Sequence, residues 1–277
     1  MSQIKKGSLV FILLLGAALA VAGAVNAQLN KNKNAVSVLP QIAETKAEEN
    51  KSAPEKVATS NSVIPVAAAA TVASKPVDPS SPYPIHKDIS TTYFWAGEEA
   101  DADNKNISNL PSAWDDQWVK HFGGVDDPKK RNGFLPSSFT PKENPFYFAL
   151  PYNDFDSNGN EKGNAYTLAS WTNGKKPSAN VSVCKNQWIK ITKSGKSVYA
   201  QWEDVGPFGE DDTAYVFGKA APSSKENDHA GLDVSPAVHD FLGLGDMNRT
   251  DWQFVDASQV PDGPWKNIVT TSQIFWP

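Results

Sequence analysis

The hydrophobic positions divide this chain of 277 residues into three regions. A Leu-rich apolar run covers residues 7–25, and residues 28–82 then contain six prolines but no aromatic residue. Apart from Phe11, all phenylalanines, tyrosines and tryptophans follow residue 82. Because large aromatic side chains dominate the burial that builds a core, we predict one folded domain that begins near residue 83 and is long enough for a single core.

Short apolar and alternating stretches in this region predict a mainly β domain. In one of them Val198, Ala200 and Trp202 share a face, which is the two-residue period of a strand. A Lys-Ser-Gly-Lys turn at residues 193–196 joins it to the preceding stretch and indicates a hairpin. The predicted strands cover residues 146–150, 188–192, 197–203, 252–255 and 268–275.

Two short helices are predicted from local signals. Aromatic residues recur at helical spacing after Ser112, and two glycines at 123 and 124 end the segment, so we predict a helix over residues 112–122. Ser235 is a favourable N-cap, Pro236 suits the first helical position and Gly243 suits the end, which predicts a helix over residues 236–242.

The N-terminus has the organisation of a secretory signal peptide. Lys5 and Lys6 precede the apolar run, and Val25-Asn26-Ala27 supplies small residues for cleavage after Ala27. We therefore predict a signal peptide over residues 1–27 and a periplasmic or extracellular protein. The alternative is an uncleaved membrane anchor, because the apolar run is long enough to span a bilayer; contact with a membrane is expected only in that case.

Residues 28–82 are predicted to be a disordered linker rich in Ala, Pro, Lys and Glu, because they lack the apolar area that would offset chain entropy. Such a spacer suits a protein that reaches through a cell wall, or it is a tolerated low-complexity insert. The single cysteine, Cys184, excludes a disulfide scaffold and is expected to be buried. The net charge of −5 disfavours nucleic-acid binding, and no cofactor or metal is predicted.

Three segments in order suggest a family. Glu203-Asp204-Val205-Gly206-Pro207-Phe208 ends the hairpin, and Gly231-Leu232-Asp233-Val234-Ser235-Pro236-Ala237 precedes the second helix. A strand near Trp252 and a Gly263-Pro264-Trp265 turn follow. This resembles the double-psi β-barrel domains of rare lipoprotein A, expansins, membrane-bound lytic transglycosylase A and family 45 endoglucanases. The resemblance implies a six-stranded double-psi β-barrel over residues 146–277, with short helices and an N-terminal, aromatic-rich extension, residues 83–145, packing on the barrel.

The resemblance also implies site residues. Asp233 matches the Asp that precedes the helix and acts as general acid in the hydrolytic members, and Asp204 matches the Asp of the turn. In the double-psi topology these two segments meet at the mouth of the barrel, so the resemblance implies that Asp204 and Asp233 line one groove. Tyr152 and Asp154 match a Tyr-x-Asp in which the Asp is the base or a substrate contact. The His that usually directly precedes the Phe-Asp of the helix motif is absent, and His229, four residues before Asp233, is taken as a substrate-binding candidate. For Asp204 and Asp233 the alternatives are structural, a turn residue and a helix-entry residue.

Residues 154–159, Asp-Phe-Asp-Ser-Asn-Gly, match the first half of a calcium loop, but Ala165 occupies the position of its bidentate Glu. A surface turn is the favoured interpretation, and calcium ligation by Asp154 would compete with a role as base. Trp171, in a polar stretch, is predicted to be an exposed platform for a sugar ring.

Together these features predict a secreted protein that acts on a cell-wall polysaccharide, peptidoglycan or a glucan. It would cleave by a lytic-transglycosylase or endoglucanase-like reaction with Asp233 as general acid. The alternative is a non-catalytic, expansin-like binding or wall-loosening module.

Overall fold

The computed structural model describes residues 82–105 and 107–276. The predicted signal peptide and all but the last residue of the predicted linker lie outside these ranges. The strands are β1 (Ile85–Tyr93), β2 (Arg131–Asn132), β3 (Leu135–Pro136), β4 (Tyr147–Leu150), β5 (Trp188–Lys193), β6 (Lys196–Val205), β7 (Leu232–Val234) and β8 (Asn248–Val255). The helices are α1 (Trp118–Phe122), α2 (Ala165–Leu168), α3 (Thr213–Val216) and α4 (Pro236–Leu242).

Six strands close into a barrel in the order β1-β7-β4-β6-β5-β8, and β8 pairs back onto β1. The pairs β1·β7 and β4·β6 are parallel, and the other four pairs are antiparallel. This mixed topology is compatible with a double-psi barrel and confirms the predicted fold class, a mainly β barrel with short helices. Large apolar side chains fill the interior, among them Phe148, Trp202 and Val234, which are fully buried.

The barrel begins about 60 residues earlier than the resemblance implied. β1 lies within the supposed extension and closes the barrel by pairing with β7 and β8. Its sequence, Ile-His-Lys-Asp-Ile-Ser-Thr-Thr-Tyr, gives no clear alternation, because its pairing with β8 shifts register between His86 and Ile89. The segment from Phe94 onward does pack on the barrel, where Trp118 and Phe122 contact Tyr147.

Two predicted elements are wrong. Only Trp118–Phe122 of the helix expected over residues 112–122 is helical, because Ser112 and Asp115 pair with each other in a turn. Residues 268–275 do not form a strand. Thr270 instead donates its N–H to the side chain of Gln201 at 2.8 Å. This backbone N–H is therefore satisfied by a buried side-chain amide and not by a neighbouring strand.

The hairpin and α4 are confirmed. β5 and β6 pair in register around the 193–196 turn. α4 spans Pro236–Leu242, Ser235 Oγ accepts a hydrogen bond from Val238 N–H at 3.3 Å, and Gly243 ends the helix with a φ of 64°. Cys184 is buried as predicted. Within the described residues, no helix combines the length and apolar character that a membrane crossing requires.

Candidate functional site

Two aspartates lie in one row across the barrel. Asp233 of β7 pairs with Ala149 of β4, and Ala149 pairs on its other side with Asp204 of β6. Thr92 of β1 extends the row beyond Asp233. Since neighbouring strands lie about 4.8 Å apart, the two aspartate Cα atoms are roughly 10 Å apart.

Local backbone geometry turns both aspartates away from the barrel interior. Leu232 and Val234, the neighbours of Asp233, are fully buried, and strand alternation directs Asp233 to the other face. On β6 the register shifts by one residue, so that Phe148 pairs with Trp202 but Ala149 pairs with Asp204. Shifts of this kind re-aim a side chain, and here the shift gives Asp204 the same face as Asp233.

Both aspartates line one cleft of about 510 Å³, as predicted from the two motifs. Four chain segments form its walls. They are the end of β1 with the loop that follows it, the turn after β6, the loop before β7, and the residues before β8, which contribute Tyr93, Trp95, Glu98, Asp101, Asp103, Lys105, Pro207, Phe208, Asn227, Asp246 and Met247. Ala149 lies between the two carboxyl-bearing strands, and its small side chain leaves the space above it open.

The two carboxyl groups have different hydrogen-bond environments. Asp204 is only 6% exposed, and its Oδ1 accepts the backbone N–H groups of Ala113 at 2.7 Å and Val205 at 2.8 Å. Asp233 Oδ1 is buried and accepts no backbone N–H from the described residues; the hydrogen-bonding neighbour of the carboxyl group is the Thr92 hydroxyl. Backbone donors favour a charged carboxylate, so Asp204 is the better anion and Asp233 the better proton carrier.

Burial raises the pKa of both groups to about 7. For Asp204, the two backbone donors and Lys185 oppose the effect of burial on the pKa. For Asp233, a hydrogen bond from the Thr92 side chain lowers the pKa, while the charges of Glu98 and Asp204 raise it further. The charge of one aspartate therefore disfavours ionisation of the other, and such a pair tends to retain one proton near neutral pH.

An aromatic pair lines the cleft beside Asp233. The rings of Tyr93 and Trp95 are stacked with centroids 5.8 Å apart and planes inclined by 29°. Both side chains are partly exposed, and the Tyr93 ring also packs against His239 with ring centroids 4.8 Å apart. Sequence reasoning missed these two residues, although the run Tyr93-Phe94-Trp95 within a polar stretch was the available signal.

Asp154 and Tyr152 lie apart from the residues that line the cleft. Asp154 is 2% exposed and accepts hydrogen bonds from Trp114 Nε1 at 3.0 Å, Ser182 Oγ at 2.9 Å and Val183 N–H at 2.6 Å. Asp154 thus links its own segment to residue 114 and to residues 182–183. Tyr152 is fully buried, with its ring packed edge-on against Phe217.

Trp171 is half-buried rather than a free platform. Its ring packs against that of Phe254 with ring centroids 4.8 Å apart, and its Nε1–H donates to the carbonyl of Val183 at 2.8 Å. His229 is exposed and lines a second cleft, together with His86 and Arg249. The structure therefore brings together Asp204 and Asp233, and it places the other four predicted residues elsewhere.

Residues 154–159 form the expected surface turn. Asp156 Oδ1 accepts the backbone N–H groups of Asn158 at 2.8 Å and Asn160 at 2.9 Å, and Gly159 has a φ of 76°. These donors lower the pKa of Asp156. In the part of the chain that is described, no three His, Cys, Asp or Glu side chains are grouped so as to hold a metal ion.

Comparison with known protein families and with curated proteins finds no match for this chain.

Proposed function

We propose that this protein is secreted, belongs to the double-psi β-barrel proteins and cleaves glycosidic bonds of a cell-wall polysaccharide with Asp233 as general acid. The observation that carries the proposal is the pair of carboxyl groups, Asp204 and Asp233, in one open cleft with pKa values raised to about 7. A carboxyl group that keeps its proton near neutral pH is what a general acid requires.

The unequal environments support a division of roles. Asp233, which accepts no backbone N–H from the described residues, protonates the departing glycosidic oxygen. Asp204, held by two backbone N–H groups, stays ionised and either activates a water molecule or stabilises positive charge on the sugar. After bond cleavage the proton lost by Asp233 is recovered from water.

The aromatic pair supports a polysaccharide as the substrate. Sugar rings present C–H faces that pack on aromatic side chains, and Tyr93 and Trp95 line the same cleft as Asp233. The same pair also favours the alternative function, an expansin-like module that binds polysaccharide without cleaving it, because stacking needs no carboxyl chemistry.

Product analysis separates these functions. The full chain is incubated with purified peptidoglycan and with cellulose, and the released sugars are identified by mass spectrometry. Cleavage by water yields reducing ends, whereas intramolecular attack by the sugar's own hydroxyl yields anhydro-sugars and needs Asp233 alone.

The variant Asp233→Asn should lose roughly 10²–10⁴-fold in turnover, the usual effect of removing such an acid. Asp262→Asn, a fully exposed residue outside the cleft, is the matched control. Full turnover by Asp233→Asn would refute the catalytic proposal. Polysaccharide binding without cleavage by the unaltered protein would leave the binding module as the function.

A further inference from the structure

Asp204 depends on a hydrogen-bond donor from a distant part of the chain. Its Oδ1 accepts the N–H of Val205, the next residue, and the N–H of Ala113, which is 91 residues away in the sequence. Burial raises the pKa of Asp204, and the Ala113 N–H is the group that lowers it most. The charge on Asp204 therefore depends on where residue 113 is held.

The segment that carries Ala113 is a tight turn. Ser112 donates its N–H to the carbonyl of Asp115 at 2.9 Å, and these two residues form an isolated β-bridge. Phe275, near the C-terminus, donates its N–H to the carbonyl of Trp114 at 2.9 Å. Neither of these backbone contacts involves a barrel strand, so side-chain contacts set the position of the turn relative to β6.

Trp114 provides the attachment to β6. Its side chain is fully buried, and its ring packs edge-on against that of Trp202, with centroids 5.9 Å apart and planes inclined by 79°. Trp202 in turn donates its Nε1–H to the carbonyl of Asp204 at 2.7 Å. Trp114 Nε1–H donates to Asp154 Oδ1 at 3.0 Å. Ring packing therefore sets the distance from β6, and the hydrogen bond to Asp154 sets the orientation of the indole.

Asp154 is a firmly held acceptor for this indole. It is 2% exposed, and its carboxylate also accepts hydrogen bonds from Ser182 Oγ at 2.9 Å and Val183 N–H at 2.6 Å. Asp154 follows β4, which lies beside β6 in the barrel. The indole thus connects the turn that carries Ala113 with the end of the strand next to Asp204.

We propose that Asp154 and Trp114 are positioning residues that hold the Ala113 N–H against Asp204 and so favour the ionised form of that carboxyl group. A hydrogen bond to the charged form of a carboxyl group favours that form. The inference rests on the proposed function for its catalytic meaning, because that reaction needs an ionised Asp204. It also gives a role to Asp154, which does not line the cleft.

Two other charged groups act on Asp204 and have to stay constant in a test. Lys185, which is ion-paired with Glu203, favours the ionised form, and the charge of Asp233 disfavours it. Trp114→Phe leaves both groups in place, removes the indole N–H and keeps an aromatic ring. With Asp233→Asn as a common background, Asp204 titrates without its coupled neighbour.

NMR titration of the Asp204 carboxyl carbon in the full chain measures the effect without any substrate. Trp114→Phe should raise the titration midpoint of Asp204 by about one pH unit, the effect of losing one hydrogen bond to a charged group. Trp265→Phe is the matched control, because it removes a buried indole donor to the carbonyl of Pro261 and should leave the midpoint unchanged. An equal midpoint with and without Trp114→Phe would overturn the inference.

A double variant tests the place of Asp154 in this link. Asp154→Ala removes the acceptor and should raise the midpoint at least as much as Trp114→Phe. It also releases Ser182, whose Oγ accepts the N–H of Lys185 at 2.9 Å. Adding Trp114→Phe to Asp154→Ala should cause little further change, because the link is already broken. A full further rise would show that Trp114 acts without Asp154, which overturns the proposed role of Asp154.

The amide proton of Ala113 gives a second measurement that needs no variant. In the unaltered protein its resonance should move with the titration of Asp204, because this proton is hydrogen-bonded to the titrating carboxylate. An Ala113 resonance that does not follow the titration would overturn the inference, even where Trp114→Phe fails to fold.

Activity measurements separate the inference from the proposed function. In the protein that retains Asp233, Trp114→Phe should move the acidic limb of the rate profile for polysaccharide cleavage to higher pH, and Trp265→Phe should not. Cleavage with an unmoved acidic limb would overturn the inference and leave the proposed function standing. A raised NMR midpoint in a protein that cleaves no polysaccharide would support the link to Asp204 and overturn the proposed function.

Discussion

Replacing Asp233 by Asn should make the protein more stable at alkaline pH while strongly lowering the proposed activity. The carboxyl group has a pKa of about 7 in the folded protein against 3.8 for an ordinary aspartate. The unfolded chain therefore releases this proton first, and the stability of the unaltered protein falls as pH rises from about 4 to about 7. Asn is neutral throughout and carries no such penalty.

The magnitude follows from the two pKa values. A tenfold change in a proton equilibrium corresponds to about 1.4 kcal/mol, so raising the pKa from 3.8 to about 7 disfavours the ionised folded state by about 4 kcal/mol. Asp233→Asn should recover up to this amount above pH 7 and nothing below about pH 4. Because Asp204 contributes to the shift, neutralising both residues should recover less than the sum of the single effects.

Urea unfolding at about pH 4, 6 and 8 measures the effect through the transition midpoint at constant m-value. Asp262→Asn is the control, since its side chain is fully exposed and its only ion pair, with Lys266, is an exposed one that contributes little to stability. An Asp233→Asn variant that is no more stable than the unaltered protein at pH 8 would refute the raised pKa. A large loss of stability at every pH would instead show that Asp233 is needed for the entry of the chain into α4.

Three further predictions follow from the site and its surroundings. The rate of polysaccharide cleavage against pH should be bell-shaped and should fall above about pH 7, where Asp233 loses its proton, as measured by initial rates. Asp154→Ala should lower the free energy of unfolding by roughly 3 kcal/mol, because two buried donors and one partly buried donor lose their acceptor, as measured by urea unfolding. Lys185→Met should cost about 3–5 kcal/mol, because it leaves Glu203 buried without its ion-pair partner.

Each of these has a matched control. The residual activity of Asp233→Asn should lack the alkaline limb of the pH profile, and an unchanged profile would contradict the assignment. Asp154→Asn keeps an acceptor oxygen and should be less damaging than Asp154→Ala; equal losses would show that the hydrogen bonds are not the cause. Adding Glu203→Gln to Lys185→Met should restore part of the lost stability, and no recovery would contradict an effect of the unpaired charge.

Local chemistry determined several elements from the sequence alone. Ser235, Pro236 and Gly243 specify both ends of α4. The capping side chain, the fixed φ of proline and the positive φ of glycine each depend only on neighbouring residues, so they can be identified in the sequence. The β5–β6 hairpin follows from alternation on both sides of a Gly-containing turn. The fold class and the meeting of Asp204 with Asp233 could be predicted because two motifs in order resemble a known barrel.

Only the tertiary structure decided the rest, because pairing between distant strands is not encoded in local patterns. β1 has a weak apolar pattern and becomes a strand by pairing with β7 and β8. Ala149 separates the two aspartates only in the register of β4 with its neighbours. Asp154 and Trp171 have the residue types of a glycan site, yet packing against other segments gave them structural contacts. The residue types indicate possible chemistry, and long-range register and burial determine which of them share one cleft.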